Sequence, residues 1–150
     1  MKIRHRSEKR RGVAAVELAV IAPLLVGLVL GAIELGRALE VSQMLSMAVR
    51  EGGRRAATEF KGITSPDNET NEVIADIRKI LNAQGIPADE ATVEVLNETT
   101  GATANLNDPN MDGELFRINV SIPFSEVAYL TPVFLQGQNL NASIVMRAPD

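Results

Sequence analysis

Hydrophobic and polar positions divide the chain into unlike stretches. From Val13 to Leu35 nearly every position is apolar, and only Glu17 and Glu34, near the two ends, carry charge. At about 1.5 Å per residue these 23 positions reach roughly 34 Å, enough to cross the hydrocarbon core of a bilayer. A core helix of a water-soluble protein would show a polar stripe, so the pattern predicts a transmembrane helix over 13–35. Over 36–60 the helical period continues in a different form. Ala38, Val41, Leu45, Ala48 and Gly52 recur at alternating spacings of three and four and make one apolar seam, with Glu40, Ser42, Gln43, Arg50 and Glu51 on the other faces. Two partners fit such a seam, the chain's own domain or a neighbouring subunit. The pair Gly52-Gly53 lowers helix propensity and predicts an end or a kink nearby.

A separate extracytoplasmic domain is expected over 61–150. Gly62 to Asn68 reads as a linker, with Ser65-Pro66-Asp67 as its turn signal. Val73, Ile74, Ile77, Ile80 and Leu81 give one apolar face to a second helix from Glu69 to Gln84, which Gly85 and Pro87 stop. The period then changes to two. Thr92–Val95, Phe116–Ile122 and Ala142–Met146 alternate and predict strands. The fold class is therefore α+β: a long N-terminal transmembrane helix, a second helix and a small, mostly antiparallel sheet.

Charge alters how the apolar run is understood. Six of the 15 basic residues (Lys2, Arg4, Arg6, Lys9, Arg10, Arg11) fall in the leader over 1–12, opposed there only by Glu8. Without that leader the chain holds 9 basic and 18 acidic residues, a net charge of −9. Basic residues abutting a hydrophobic span act as a topology signal and predict an inside N-terminus and an outside C-terminus. The acidic remainder lacks the basic surface that nucleic-acid binding needs. The chain has no cysteine, which excludes disulfides and thiolate chemistry, and its single histidine, His5, sits in the leader. No nucleophile–base pair, metal cluster or phosphate loop is visible, so no enzymatic activity and no catalytic or cofactor-binding residue is expected.

A basic tail and an apolar run also describe a cleavable secretory signal. The uninterrupted stretch Leu18–Ile33 is 16 residues, longer than the roughly 7–15 of a signal h-region, and Ile33-Glu34-Leu35-Gly36-Arg37 offers no small-x-small cleavage site. Retention of the helix is the better fit. Glu17, one turn inside the span, has two readings. It is an interfacial carboxylate reaching back to Arg10 and Arg11, or it serves assembly. Cleavage after Gly12 would create an α-ammonium on Val13 one turn from Glu17, and the carboxylate could pair with that ammonium or with a neighbour's.

Arg11-Gly12 followed by Val13-Ala14-Ala15-Val16-Glu17 resembles the processing site of type IV prepilins. The longer string RRGVAAVELAVIAPLLVGLVLGAIELGRAL, with Pro23 inside the span and the Glu34-Leu35-Gly36-Arg37 exit, is similar to TadE-like minor pseudopilins of the tight-adherence (Tad, or Flp) pilus system. Ala48-Val49-Arg50-Glu51-Gly52-Gly53-Arg54-Arg55 resembles the pattern found further along in that family. One departure is Leu18, where an aromatic commonly follows the glutamate. The resemblance implies a pilin-like domain, cleavage between Gly12 and Val13 by a prepilin peptidase, and assembly with other pilin-like subunits and an inner-membrane assembly platform. It further implies a single-pass protein of the bacterial inner membrane, surrounded by lipid and available for incorporation into a pilus. Gly27 and Gly31 form a GxxxG pair, a spacing that permits close helix–helix approach in lipid.

Asp108-Pro109-Asn110-Met111-Asp112-Gly113 places oxygen ligands at alternate positions before a glycine, as at the opening of a calcium loop. The acid expected further on is replaced by Asn119, and Asp112-Gly113 is also an ordinary hairpin dipeptide, so Asp108, Asn110 and Asp112 are a weak calcium candidate beside a plain turn. The expected function is structural: a minor pseudopilin assembling through its N-terminal helix. The rival is a signal-anchored periplasmic binding module that is never processed.

Overall fold

The computed structural model describes residues 5–58, 69–106, 108, 111 and 113–148, with side chains described from Gly12 onward except at Glu69. Helix α1 (His5–Thr58) is one continuous helix of 54 residues with Pro23 inside it. Along 12–33 its side chains are exposed or half-exposed, including Val13, Val20, Leu24 and Leu28, and among the described residues it is the one helix long and apolar enough to cross a membrane. At Glu34 the pattern changes. Glu34, Ala38, Val41, Leu45, Ala48 and Val49 are buried in succession along one side. The apolar seam is thus covered by the chain's own domain.

Helix α2 (Glu69–Ala83) and the second half of α1 pack on a three-stranded antiparallel sheet of order β1-β2-β3, formed by β1 (Thr92–Asn97), β2 (Leu115–Pro123) and β3 (Asn139–Arg147). In β2, Phe116, Ile118, Val120 and Ile122 point to the core, as alternation requires of a sheet covered on one face. Ile118 pairs with Val95 on one side and Ile144 on the other. From α2, Val73, Ile77 and Leu81 meet this layer. The helix ends on a Schellman motif: Gly85 takes φ +76°, its N–H donates to Asn82 O, and the N–H of Ile86 donates to Leu81 O. Observed strands extend the expected ones by a few residues at their ends, and the fold is α+β as the alternating periods indicate.

Of the end or kink expected near Gly52-Gly53, the end does not occur: α1 runs on to Thr58, close to the expected limit of the helical stretch over 36–60. The glycines are there for space. A Cβ on Gly52 would fall within the Ile77 side chain of α2, 2.8 Å from its Cδ1. One on Gly53 would lie 3.1 Å from Met146 Cγ and 3.3 Å from Ile144 Cγ2 of β3. Packing on two elements outweighs the loss of helix propensity, about 1 kcal/mol per glycine against alanine.

Candidate functional site

The segment between β2 and β3 brings the chain back to the end of the domain that adjoins the bare stretch of α1. After a 3-10 turn (Phe124–Glu126) with Phe124 buried, the chain forms an irregular loop whose base is closed by Phe124 N–H donating to Gln138 O at 2.8 Å. The loop tip meets α1 at Glu34. The Glu34 carboxylate accepts three successive backbone N–H groups, from Val133 at 2.7 Å and from Phe134 and Leu135 at 3.0 Å each. With 7% of its surface exposed, Glu34 is a buried charged group whose oxygens are satisfied by peptide dipoles. Such an arrangement offsets the cost of burying both the carboxylate and the three N–H groups.

One turn along α1, Arg37 closes the other side of the loop. Its Nε donates to Val127 O at 2.8 Å, and its Nη1 reaches Glu40 Oε2 at 2.9 Å and the Tyr129 hydroxyl at 3.1 Å. The guanidinium carbon also lies 4.4 Å from the Tyr129 ring centroid, within cation–π range. The hydrogen bond from Arg37 holds the Glu40 carboxyl below the usual range. Between loop and helix lies a small, mainly apolar cavity of about 90 Å³, lined among others by Leu30, Ile33, Phe124 and Leu130.

At the far end of α1, Glu51 accepts from Arg54 at 2.9 and 3.1 Å and from Arg55 at 3.2 Å, and Arg55 Nη1 continues to Asp76 Oδ2 of α2 at 3.3 Å. The bonds from Arg54, then those from Arg55, lower the Glu51 carboxyl to about 2. Gly52 and this ion cluster together set how closely α1 and α2 approach.

The residues singled out from sequence fall at separate places. Gly12 and Val13 lie within the continuous helix and are exposed, as is Glu17 on the bare surface of α1. The side chains of Arg10 and Arg11, one of the two partners considered for Glu17, lie outside the described residues. Gly27 faces open space, whereas the position of a Cβ on Gly31 is met by the Phe134 ring at 3.5 Å. One glycine of the pair is therefore covered by the chain's own loop. Of the calcium candidates, Asn110 and Asp112 lie outside the described residues; Asp108 O accepts from Met111 N–H in a turn. No group of three or more metal-ligating side chains occurs among the described residues.

Residues 12–54 match the family model of TadE-like protein. Over that stretch the chain is similar to the TadE-like family. The TadE-like segment begins at Gly12, takes in the whole uncovered part of α1, the Glu34–Arg37 clasp and the packing glycines, and ends at Arg54, within the ion cluster. Comparison with curated proteins and with solved structures gives no match. The TadE-like match lies on the one helix that, among the described residues, is long and apolar enough to anchor a protein in a membrane.

The loop Val127–Leu135 was not singled out from sequence. It lacks a regular period, and its meaning depends on Glu34, some hundred residues earlier. A signal was nevertheless present: no charged residue occurs from Val127 to Gln138, in a domain otherwise rich in charge.

Proposed function

We propose that this protein is a minor pseudopilin of a Tad (Flp)-type pilus or related secretion apparatus, anchored in the bacterial inner membrane with its C-terminal domain outside. The supporting observation is the contrast along α1: bare and apolar over 12–33, buried by the chain's own domain from Glu34 on, with the TadE-like match opening at Gly12. A helix whose apolar surface the chain itself does not cover needs lipid or other helices. The basic leader favours the inside N-terminus.

In this reading a prepilin peptidase cuts the Gly12–Val13 bond on the cytoplasmic side. Gly12 is the weakest helix former near that bond, so local unwinding for the peptidase is least costly there. The new ammonium of Val13 then stands one turn from Glu17, in surroundings where an unpaired charge is disfavoured. Pairing of Glu17 with an ammonium, its own or that of a packed subunit, turns that cost into a preference for assembly. The open Gly27 leaves room for close helix neighbours.

The test is co-isolation with pilin-like subunits from membranes of a peptidase-active host, comparing wild type with Gly12→Leu. The account expects the variant to be inserted at wild-type level and to recover none of the partners. Equal recovery would favour an unprocessed, signal-anchored module.

A further inference from the structure

We propose that the loop Val127–Leu135 is a second membrane-contact surface, its Tyr129, Leu130, Val133 and Phe134 side chains seated in the lipid leaflet adjoining the domain. The proposal rests on the reading of α1 as the membrane span, and its occupant is lipid.

Depth is the first argument. Gly31, on which the Phe134 ring sits, is 18 residues after Val13, or about 27 Å along the helix at 1.5 Å per residue. A hydrocarbon core of about 30 Å that begins near Val13 ends near Ala32, with the headgroup zone continuing a further 5–7 Å or so. Glu34 and Arg37, the two residues that hold the loop, fall inside that zone. The loop is therefore fixed at the level where core gives way to headgroups.

Surface chemistry agrees with this placement. Tyr129, Leu130, Val133 and Phe134 are 67, 57, 61 and 59% exposed, large side chains left open between the level of Gly31, where the Phe134 ring sits, and that of Arg37, which Tyr129 meets. Of the chain's four Phe and one Tyr, three lie between Phe124 and Phe134. Tyr129 adds the amphipathic form typical of the membrane boundary, a largely exposed ring with one face under the Arg37 guanidinium and its hydroxyl accepting from Arg37.

Backbone satisfaction is the third argument. Irregular backbone is tolerated near hydrocarbon only when its polar groups have partners. The Glu34 carboxylate supplies partners to three consecutive N–H groups of this loop, and Arg37 supplies one to Val127 O. Toward water this carboxylate would be replaceable by solvent; toward lipid it is what allows Val133 and Phe134 to present side chains without exposing unpaired amides. The exposed Phe134 ring also lies directly on Gly31 of the helix that needs lipid, which favours lipid over a separate protein partner.

The chain contains no Trp, so single substitutions supply a clean fluorescence probe. The 150-residue chain is reconstituted in phosphatidylcholine nanodiscs as Leu24→Trp, Leu130→Trp, Phe134→Trp or Met47→Trp, with and without bromine on the acyl chains. All four positions are exposed on the protein surface, which limits effects on folding, and circular dichroism checks this. Met47 lies about 18 Å beyond Leu35 along the helix and reports water. The proposal expects blue-shifted emission at Leu130→Trp and Phe134→Trp, with at least half the bromolipid quenching of Leu24→Trp, and none at Met47→Trp. If Leu24→Trp is quenched but the loop probes are not, the proposal is overturned. Acrylamide quenching of those probes then indicates water, and its absence indicates a covering protein. If Leu24→Trp itself escapes quenching, the membrane reading of α1 falls, and the loop proposal with it.

Discussion

Gly52 and Gly53 are adjacent in one helix, yet the structure predicts different responses to the same change. Alanine at either site gains helix propensity worth about 1 kcal/mol. At Gly52 the new methyl would occupy the space of the Ile77 side chain, which is fully buried and β-branched and so has little freedom to turn away. Overpacking of this kind costs about 1–3 kcal/mol, and so direct an overlap belongs at the upper end. The net expectation for Gly52→Ala is a loss of about 1–2 kcal/mol, a sizeable share of the ~5–10 kcal/mol that holds a small domain. At Gly53 the methyl meets Met146 Cγ at 3.1 Å, part of an unbranched, half-buried side chain that can shift by a few tenths of an ångström. Gly53→Ala is therefore expected within about 0.5 kcal/mol of wild type. Urea titration of the detergent-solubilised 150-residue chain, followed by circular dichroism, measures both. Adding Ile77→Ala to Gly52→Ala should give less than the summed losses, because the new methyl fills part of the space vacated. The reasoning is refuted if Gly52→Ala is as stable as wild type, or if the two alanine variants cannot be told apart.

Three further outcomes are expected. Glu34→Ala in the membrane-embedded chain should leave the Val133, Phe134 and Leu135 amides without their acceptor, and hydrogen exchange there should rise about tenfold or more while α2 is unaffected; unchanged exchange would mean that the clasp does not hold the loop. Because the folded-state Glu51 carboxyl is lowered from the ordinary 4.5 to about 2, its contribution to stability is full above 4.5 and lost as pH falls toward 2. Glu51→Gln should flatten the fall in urea midpoint across that window, and high salt should do the same to wild type because the cluster is partly exposed; a wild-type acid profile in Glu51→Gln would rule the cluster out as its source. Glu17→Ala should insert normally and yet recover fewer pilin-like partners, an outcome read by cross-linking, with equal recovery returning Glu17 to the status of an interfacial charge.

Periodicity carried most of the fold. Val73, Ile77 and Leu81 marked α2, and the alternation from Phe116 to Ile122 marked the central strand, because each element buries one face against a neighbour. The seam from Ala38 to Gly52 was visible as a seam, but its partner was not; only the fold shows α2 and the sheet lying against it. The helix does not stop at Gly52-Gly53 for a physical reason. Propensity is a local quantity, and the demand for space came from Ile77 and Met146 on elements that sequence rules treat separately. The clasp was hidden in the same way. Glu34 stood out as a charge near the end of an apolar run, while its three donors are backbone amides, which leave no mark in a side-chain pattern.

The central claim, that this is a processed pseudopilin and not an unprocessed anchor, is tested most directly by the mass of its mature N-terminus. The chain would be isolated from membranes of cells with an active prepilin peptidase and, in parallel, from cells lacking it. The account predicts an N-terminus at Val13 in the first and the uncut leader in the second. Met1 or Lys2 as the sole N-terminus in peptidase-active cells would contradict it.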